Sequence, residues 1–429
     1  MRLASAKPAR SVFPRLTFDL QEWSGAFGDL GLLIPIVAAL VLSNGFNATS
    51  VLLVFGAAYI LSALYYRLPM PVQPLKAMAA VAIAQGLGPD VMSAAALLMA
   101  ALFLTLAATG LIEPISRLFT RPVVRGIQAA VGLLLIKTAF KMSTSGEILR
   151  GRDEVFLSLG AQVPASVLIA LVALGIMALA LWKRGLPTAL MVLAFGVVAG
   201  LALGSAGAIA NVAPGPEAPS LALPSGATLA TAFVVLVIPQ VPLTIGNAVI
   251  ACADTARGYF GQRASRVTHR SLLTTIGTAN LLAGAIGGIP VCHGSGGLTA
   301  HYRFGARTAA AGLIIGSLLV VLALGFGSSA VQLFGMMPYP VLGVMLGVVG
   351  AQHALLARDC RRLDEISVVV TVALLAIVLG NIAIGFAAGI ALHFALMMGR
   401  RALERTGLLA PRPEPSATEG PEVPAAPEG

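Results

Sequence analysis

Pro71-Val72-Gln73-Pro74-Leu75-Lys76-Ala77 breaks a strongly apolar region with two prolines before helix-compatible sequence resumes, and Pro290-Val291-Cys292-His293-Gly294-Ser295-Gly296 does the same 219 residues later. Two further matches lie around this pair. Gly28-Asp29 recurs as Gly246-Asn247 at an offset of 218, and Pro122-Val123…Gly132 recurs as Pro340-Val341…Gly350 at the same offset. A nearly constant offset across three regions implies an internal duplication; in a chain this rich in Gly, Ala and Val, any single pair would mean little. Broken apolar segments at matching positions in two halves are the sequence pointer to a carrier's binding site.

Composition puts these elements in a membrane. Of 429 residues, 57% are hydrophobic and 11% charged, with mean hydropathy +0.90. A soluble domain carries about 25% charged residues. Several windows hold 18 or more mostly apolar residues, enough to cross a ~30 Å hydrocarbon core. The net charge of +10 does not indicate nucleic acid, because the basic residues sit in short loops and form no stripe with interleaved aromatics. Cys252, Cys292 and Cys360 are widely spaced and odd in number, so they suggest neither a disulfide framework nor a zinc motif. Met1 to Gln21 has basic residues but no apolar core with a cleavage site, and reads as a cytoplasmic leader.

Apolar segments fall at about 26–44, 50–66, 74–88, 92–112, 122–140, 163–182, 187–204, 228–250, 268–288, 294–302, 308–326, 330–356, 366–379 and 381–398, which makes fourteen. The third and tenth are too short to span alone and need the preceding Pro-containing stretch. The last two share a run too long for one span, with a tight break expected near Gly380-Asn381. With a cytoplasmic N-terminus, 23 of the 28 basic residues fall on the cytoplasmic side, and the loop 205–227 has no Lys or Arg at all. Seven spans per half is odd, so the two repeats are inverted. The expected layout is a leader at 1–22, a first seven-span repeat at 23–204, an extracytoplasmic loop at 205–227, a second repeat at 228–399 and a disordered cytoplasmic tail at 400–429. The expected fold is therefore an all-α membrane protein with 14 transmembrane segments in a 7+7 inverted repeat.

The half-helices of segments three and ten should bring their N-termini together near the bilayer centre. Helix N-termini concentrate free N–H groups and the positive dipole end, which favours anions. Lys76 adds a cation there. A mid-membrane Lys costs at least ~2.5–3.5 kcal/mol, so it has a partner or a function, and pairing with Asp29 is the structural alternative. Gly294-Ser295-Gly296-Gly297 offers backbone that a ligand can approach closely, with helix packing as the alternative. His293 reads equally well as an anion donor, a proton carrier or a packing side chain. In segment one, Asp29 lies between Gly28 and Gly31 and is the candidate coupling residue. In segment eight, Gln240, Thr244 and Asn247 supply uncharged polar groups for the cavity or for helix contacts. Asp254 and Glu113 lie near cytoplasmic ends and read as interface contacts. The substrate-binding candidates are therefore Gln73, Lys76, Gln240, Thr244, Asn247, His293, Ser295, Gly296 and Gly297. No catalytic set, metal or cofactor is expected.

In Gly25–Gly31, Pro71–Lys76, Pro242–Asn247, Cys292–Leu298 and Tyr302-Arg303-Phe304-Gly305-Ala306-Arg307, the chain resembles the molybdate transporter family, a branch related to the SulP anion transporters. These motifs run through both repeats. The resemblance implies core and gate domains shared with nucleobase transporters, and oxyanion uptake through segments one, three, eight and ten. Ser295 stands where the family pattern has alanine and His301 where it has glutamine. Only about 30 residues follow Gly399, too few for the STAS domain of typical SulP proteins.

The leading expectation is a secondary transporter importing molybdate, with sulfate second, by alternating access coupled to protons. An anion channel on the same scaffold is the alternative. A uracil- or xanthine-type carrier would use glutamates in segments eight and ten, and neither span has one. A membrane-embedded enzyme would need clustered carboxylates or a His-rich set, whereas the five histidines are scattered. The expected partners are a molybdate or sulfate oxyanion, protons and the lipid bilayer, with a homodimer as the candidate assembly and no nucleic acid. The expected location is the inner (plasma) membrane, multi-pass, with both termini cytoplasmic.

Overall fold

The computed structural model describes residues 16–112, 114, 119–144, 146–158, 162–182, 188–210, 212–219, 224–406 and 408. The start of the leader, Glu113 and nearly all of the tail beyond Thr406 lie outside these residues, as do parts of the 205–227 loop.

Apolar residues on every face, not a one-sided stripe, mark helices that are buried or lie against lipid. In chain order these are α1 (Leu20–Ala26), α2 (Leu30–Asn44), α3 (Ala48–Tyr66), α4 (Lys76–Gln85), α5 (Pro89–Thr109), α6 (Arg121–Ser143), α7 (Ala165–Trp182) and α8 (Thr188–Gly200). They continue with α9 (Gly226–Arg266, with π-helical turns), α10 (His269–Ile286), α11 (Ser295–Arg303), α12 (Ala310–Phe326), α13 (Tyr339–Leu355), α14 (Leu363–Val378) and α15 (Ile382–Arg405). A helix occupies each of the fourteen predicted segments. Among the described residues, eight helical runs are long and apolar enough to cross a membrane, and α4 is among the shorter apolar ones. The break expected before the last segment is present: Gly380 takes φ +63°, and Asn381 caps α15 by accepting from Ala383 N and Ile384 N.

Four expectations need correction. The first helical run starts earlier than predicted, at Leu20, and turns at Phe27-Gly28-Asp29 between α1 and α2. Gly25 and Gly28 let the segment 295–306 approach this turn closely: a Cβ on Gly25 would lie 2.4 Å from Ala306 Cβ, and one on Gly28 3.0 Å from Ala300 O. The eighth segment does not stop near 250. It continues to Arg266, with π-helical turns at Phe233–Val237 and Thr244–Ile250 flanking the Pro239 and Pro242 region. The twelfth segment is a short helix, Ala330–Gly335, and then α13, because Pro338 disfavours helix in the residue before it, whereas Pro340 sits in the first turn of α13, where proline is tolerated. The chain is also mostly helical rather than all-α. Among the described residues there are six short strands in three antiparallel pairs: β1 (Gln73–Pro74) with β6 (Val291–Cys292), β2 (Glu147–Leu149) with β3 (Arg152–Asp153), and β4 (Phe156–Ser158) with β5 (Gln162–Pro164).

Helix packing carries the duplication into three dimensions. α3 packs on α12, α5 on α10, and α6 on α13. Advancing by the sequence offset turns the first pairing into the second and returns the third to itself. The α6–α13 crossing is tight enough that a Cβ on Gly132 would lie 2.5 Å from Gly350 O, and one on Gly350 2.6 Å from Gly132 O. Beyond it, α7 and α8 pack on each other and on α13, as α14 and α15 do on each other and on α6. The constant offset ends there because β2 to β5 lengthen only the first half's connection.

Candidate functional site

The β1–β6 pair fixes the centre of the molecule. Gln73 faces Cys292 and Pro74 faces Val291, and Leu75 N donates to Pro290 O at 2.9 Å. Proline lacks an N–H and cannot continue a ladder, so each strand is two residues long and its chain passes directly into a half-helix. α4 and α11 therefore start next to each other, as the two broken segments predict. Asn280, buried in α10, holds β6 by donating to Val291 O and accepting from Val291 N, both at 2.9 Å. Sequence reasoning missed this residue; its signal was a lone amide inside an apolar helix.

In the first half, Gln73 lies between the charged groups. Its Nε2 donates to both Asp29 oxygens at 2.7 Å, and Lys76 Nζ donates to its Oε1 at 2.8 Å. All three side chains are buried. The Lys–Asp pairing weighed from sequence is thus a relay through an amide, not a direct ion pair. In the second half, Ser295 Oγ donates to Asn247 Oδ1 at 2.7 Å. Asn247 matches Asp29 and Ser295 matches Lys76 under the sequence offset, so one half of the site is charged and the other neutral. Ser295 and Asn247 are half-buried and Gly296 is exposed. Nothing lies within 4 Å of a Cβ built on Gly296. Gly294 and Gly297 are different. A Cβ on Gly294 would lie 2.0 Å from Gln73 Oε1, and one on Gly297 2.6 Å from Gln73 Nε2 and 2.7 Å from Asp29 Oδ2.

Two expected ligands have other partners here. Gln240 Oε1 accepts from Ala77 N at 2.9 Å and Met78 N at 3.1 Å, and its Nε2 donates to Thr244 Oγ1 at 2.9 Å. The first turn of α4 is therefore capped by protein, contrary to the expectation that its N–H groups are free. His293 meets Pro71 O through Nδ1 at 2.7 Å and Thr275 Oγ1 through Nε2 at 3.0 Å. Both ring nitrogens thus have protein partners in this structure, and His293 braces the Pro71 turn. His301, the second departure expected from the resemblance, lies elsewhere, with Nδ1 2.6 Å from Gly25 O at the end of α1. Glu22, another residue missed, is buried and accepts from Arg307 N at 2.9 Å and Thr308 N at 2.8 Å, tying α1 to the turn after α11. Asp254 pairs with Arg257 at 3.7 Å, away from this cluster.

Similarity to known proteins follows the same two halves. The chain is 30% identical to Molybdate transporter 2 of Arabidopsis thaliana over 88% of its own length and 87% of the relative's. In fold it is similar to the transmembrane domain of a cyanobacterium bicarbonate transporter, BicA, with TM-score 0.59 and 17% identity over 88% of this chain and 98% of that one. It is also similar to the murine Solute Carrier 26 family member A9 anion transporter in its inward-facing state, with TM-score 0.61 and 16% identity over 90% of this chain and 70% of that one. Residues 21–135 and 232–352 match the family described as "Molybdate transporter of MFS superfamily", which leaves unmatched the last two helices of each half, the hairpins and the loop between the repeats. With both halves matched and a relative aligned along most of its length, the chain belongs to the molybdate transporter family.

Proposed function

We propose that this membrane protein imports a tetrahedral oxyanion, molybdate first and sulfate second, by alternating access coupled to protons. The observation that carries the reading is the Asp29–Gln73–Lys76 relay at the start of α4, beside the open backbone of Gly296 at the start of α11. An ammonium held by an amide acceptor and a glycine that leaves its backbone accessible suit a small anion beside Lys76 at the start of α11. Lys76, Ser295, Asn247, Gly296 and Gly297 form the proposed binding set, with Gln73, Gln240, Thr244 and His293 supporting it and Asp29 as the coupling group. The proposed topology has fourteen spans in two inverted seven-span repeats, 23–204 and 228–399, with both termini cytoplasmic in the plasma membrane. The relatives' names support molybdate, and the fold neighbours support anion transport in general.

The direct test is uptake of radiolabelled molybdate into proteoliposomes, with tungstate and sulfate as competitors and with or without an inward proton gradient. Saturable uptake that tungstate blocks more strongly than sulfate, and that the gradient accelerates, is the expected result. Sulfate competing better than tungstate would reverse the preference. Flux that does not saturate would favour a channel.

A further inference from the structure

A groove of about 420 Å³ runs between α3 and α10, on the side of α10 away from the β1–β6 pair. Its α10 wall is a helical stripe from Arg270 through Thr274 and Thr278 to Leu282, and its α3 wall includes Leu61 and Tyr65. Leu61 and Tyr65 are exposed. The hydroxyls along the stripe do not make the groove polar. Thr274 Oγ1 donates back to Arg270 O at 2.9 Å and Thr278 Oγ1 to Thr274 O at 2.8 Å, so both can present their methyls to the groove. The lining from Arg270 to Leu282 extends about 18 Å along the helix axis, slightly more than half of a ~30 Å hydrocarbon core. It therefore matches the depth of a single leaflet.

One end is basic. Arg270 lines the mouth, is exposed, and makes no side-chain hydrogen bond or ion pair among the described residues. Arg266 lies beside it, with Nη1 donating to Tyr65 O at 2.8 Å. A mostly apolar shaft, one leaflet deep and topped by a guanidinium, complements an acyl chain that ends in an anionic headgroup. We propose that the α3–α10 groove binds an anionic phospholipid, with one acyl chain in the shaft and the phosphate against Arg270. The proposal rests on the proposed fourteen-span topology, in which α3 and α10 both cross the membrane, and not on the identity of the transported anion. The groove also adjoins the site, because Thr275 in its wall is the residue that meets His293 Nε2.

The test titrates the full chain in detergent with phosphatidylglycerol or phosphatidylcholine and counts bound lipid by native mass spectrometry. Inorganic phosphate alone is the headgroup control, read by thermal unfolding. Wild type should hold one phosphatidylglycerol at least fivefold more tightly than phosphatidylcholine, a preference of the size one basic side chain gives near an anionic surface. Arg270→Gln should abolish that preference, and Thr278→Trp, which fills the shaft from an exposed position, should weaken both lipids. Arg401→Gln, a basic change on α15, should leave binding unchanged. Equal binding of the two lipids by wild type would overturn the proposal, as would an unaltered preference in Arg270→Gln. So would stabilisation by phosphate alone equal to that by lipid, or a lipid-independent dimer lost in Thr278→Trp. The readout is binding, so it can fail while the transport reading stands.

Discussion

Lys76 contacts Gln73 and reaches Asp29 only through that amide, so its ammonium keeps donors for a further acceptor. A charge-assisted hydrogen bond is worth roughly 1.5–3 kcal/mol, so Lys76→Ala should weaken oxyanion binding at least tenfold while the protein stays folded in the membrane. Equal molybdate affinity for wild type and Lys76→Ala, measured by equilibrium binding on protein that elutes as one species, would remove Lys76 from the site. Ser295 tests selectivity instead. Ser295→Ala removes the hydroxyl that meets Asn247 and restores the residue of the family pattern. The expected result is a shifted ratio of molybdate to sulfate inhibition constants, with maximal uptake retained. A ratio equal to wild type would make Ser295 a packing residue.

At the scale of elements, two adjacent glycines in the first turn of α11 should behave oppositely. Gly297→Ala would place a Cβ 2.7 Å from Asp29 Oδ2 and 2.7 Å from Pro71 Cβ, between the two half-site elements. Overpacking of this kind costs about 1–3 kcal/mol, so the variant should melt earlier and lose uptake. Gly296→Ala meets nothing within 4 Å and should melt like wild type, yet lose anion affinity if the substrate approaches that backbone. Thermal unfolding with uptake on the same preparations separates the cases, and full uptake by Gly296→Ala would move the proposed anion away from α11. These two positions also show what was legible in sequence. Prolines and glycines at a fixed offset marked the broken segments, because backbone limits are local and appear in residue type. The partners of Gln240 and His293 were not legible, since whether a buried polar group faces substrate or caps a neighbouring helix depends on packing between segments far apart in the chain. The break at Pro338 was readable and was missed, because the apolar run on either side of it masked a local signal.

For the whole molecule, orientation and energetics are linked. All three cysteines are buried, so a cysteine introduced at exposed Pro216 in the loop between the repeats would be labelled over a low background. A membrane-impermeant maleimide should reach it from outside intact cells, and labelling only in inverted vesicles would reverse the proposed topology. With that orientation, a dianion entering against a negative-inside potential is opposed by about 2.3 kcal/mol per charge per 100 mV. Co-transported protons offset this opposition. Asp29 is the proposed carrier, because its carboxylate joins the Lys76 relay and its protonation would remove a negative charge from the end of the relay opposite Lys76. Asp29→Asn keeps an oxygen acceptor for Gln73 but cannot take up a proton, so it separates the relay's shape from its charge. Uptake by wild type should rise with an inward proton gradient at clamped potential, and Asp29→Asn should transport without responding to it. If wild type ignores the gradient, coupling to protons fails. If Asp29→Asn keeps the wild-type response, the proton is carried elsewhere.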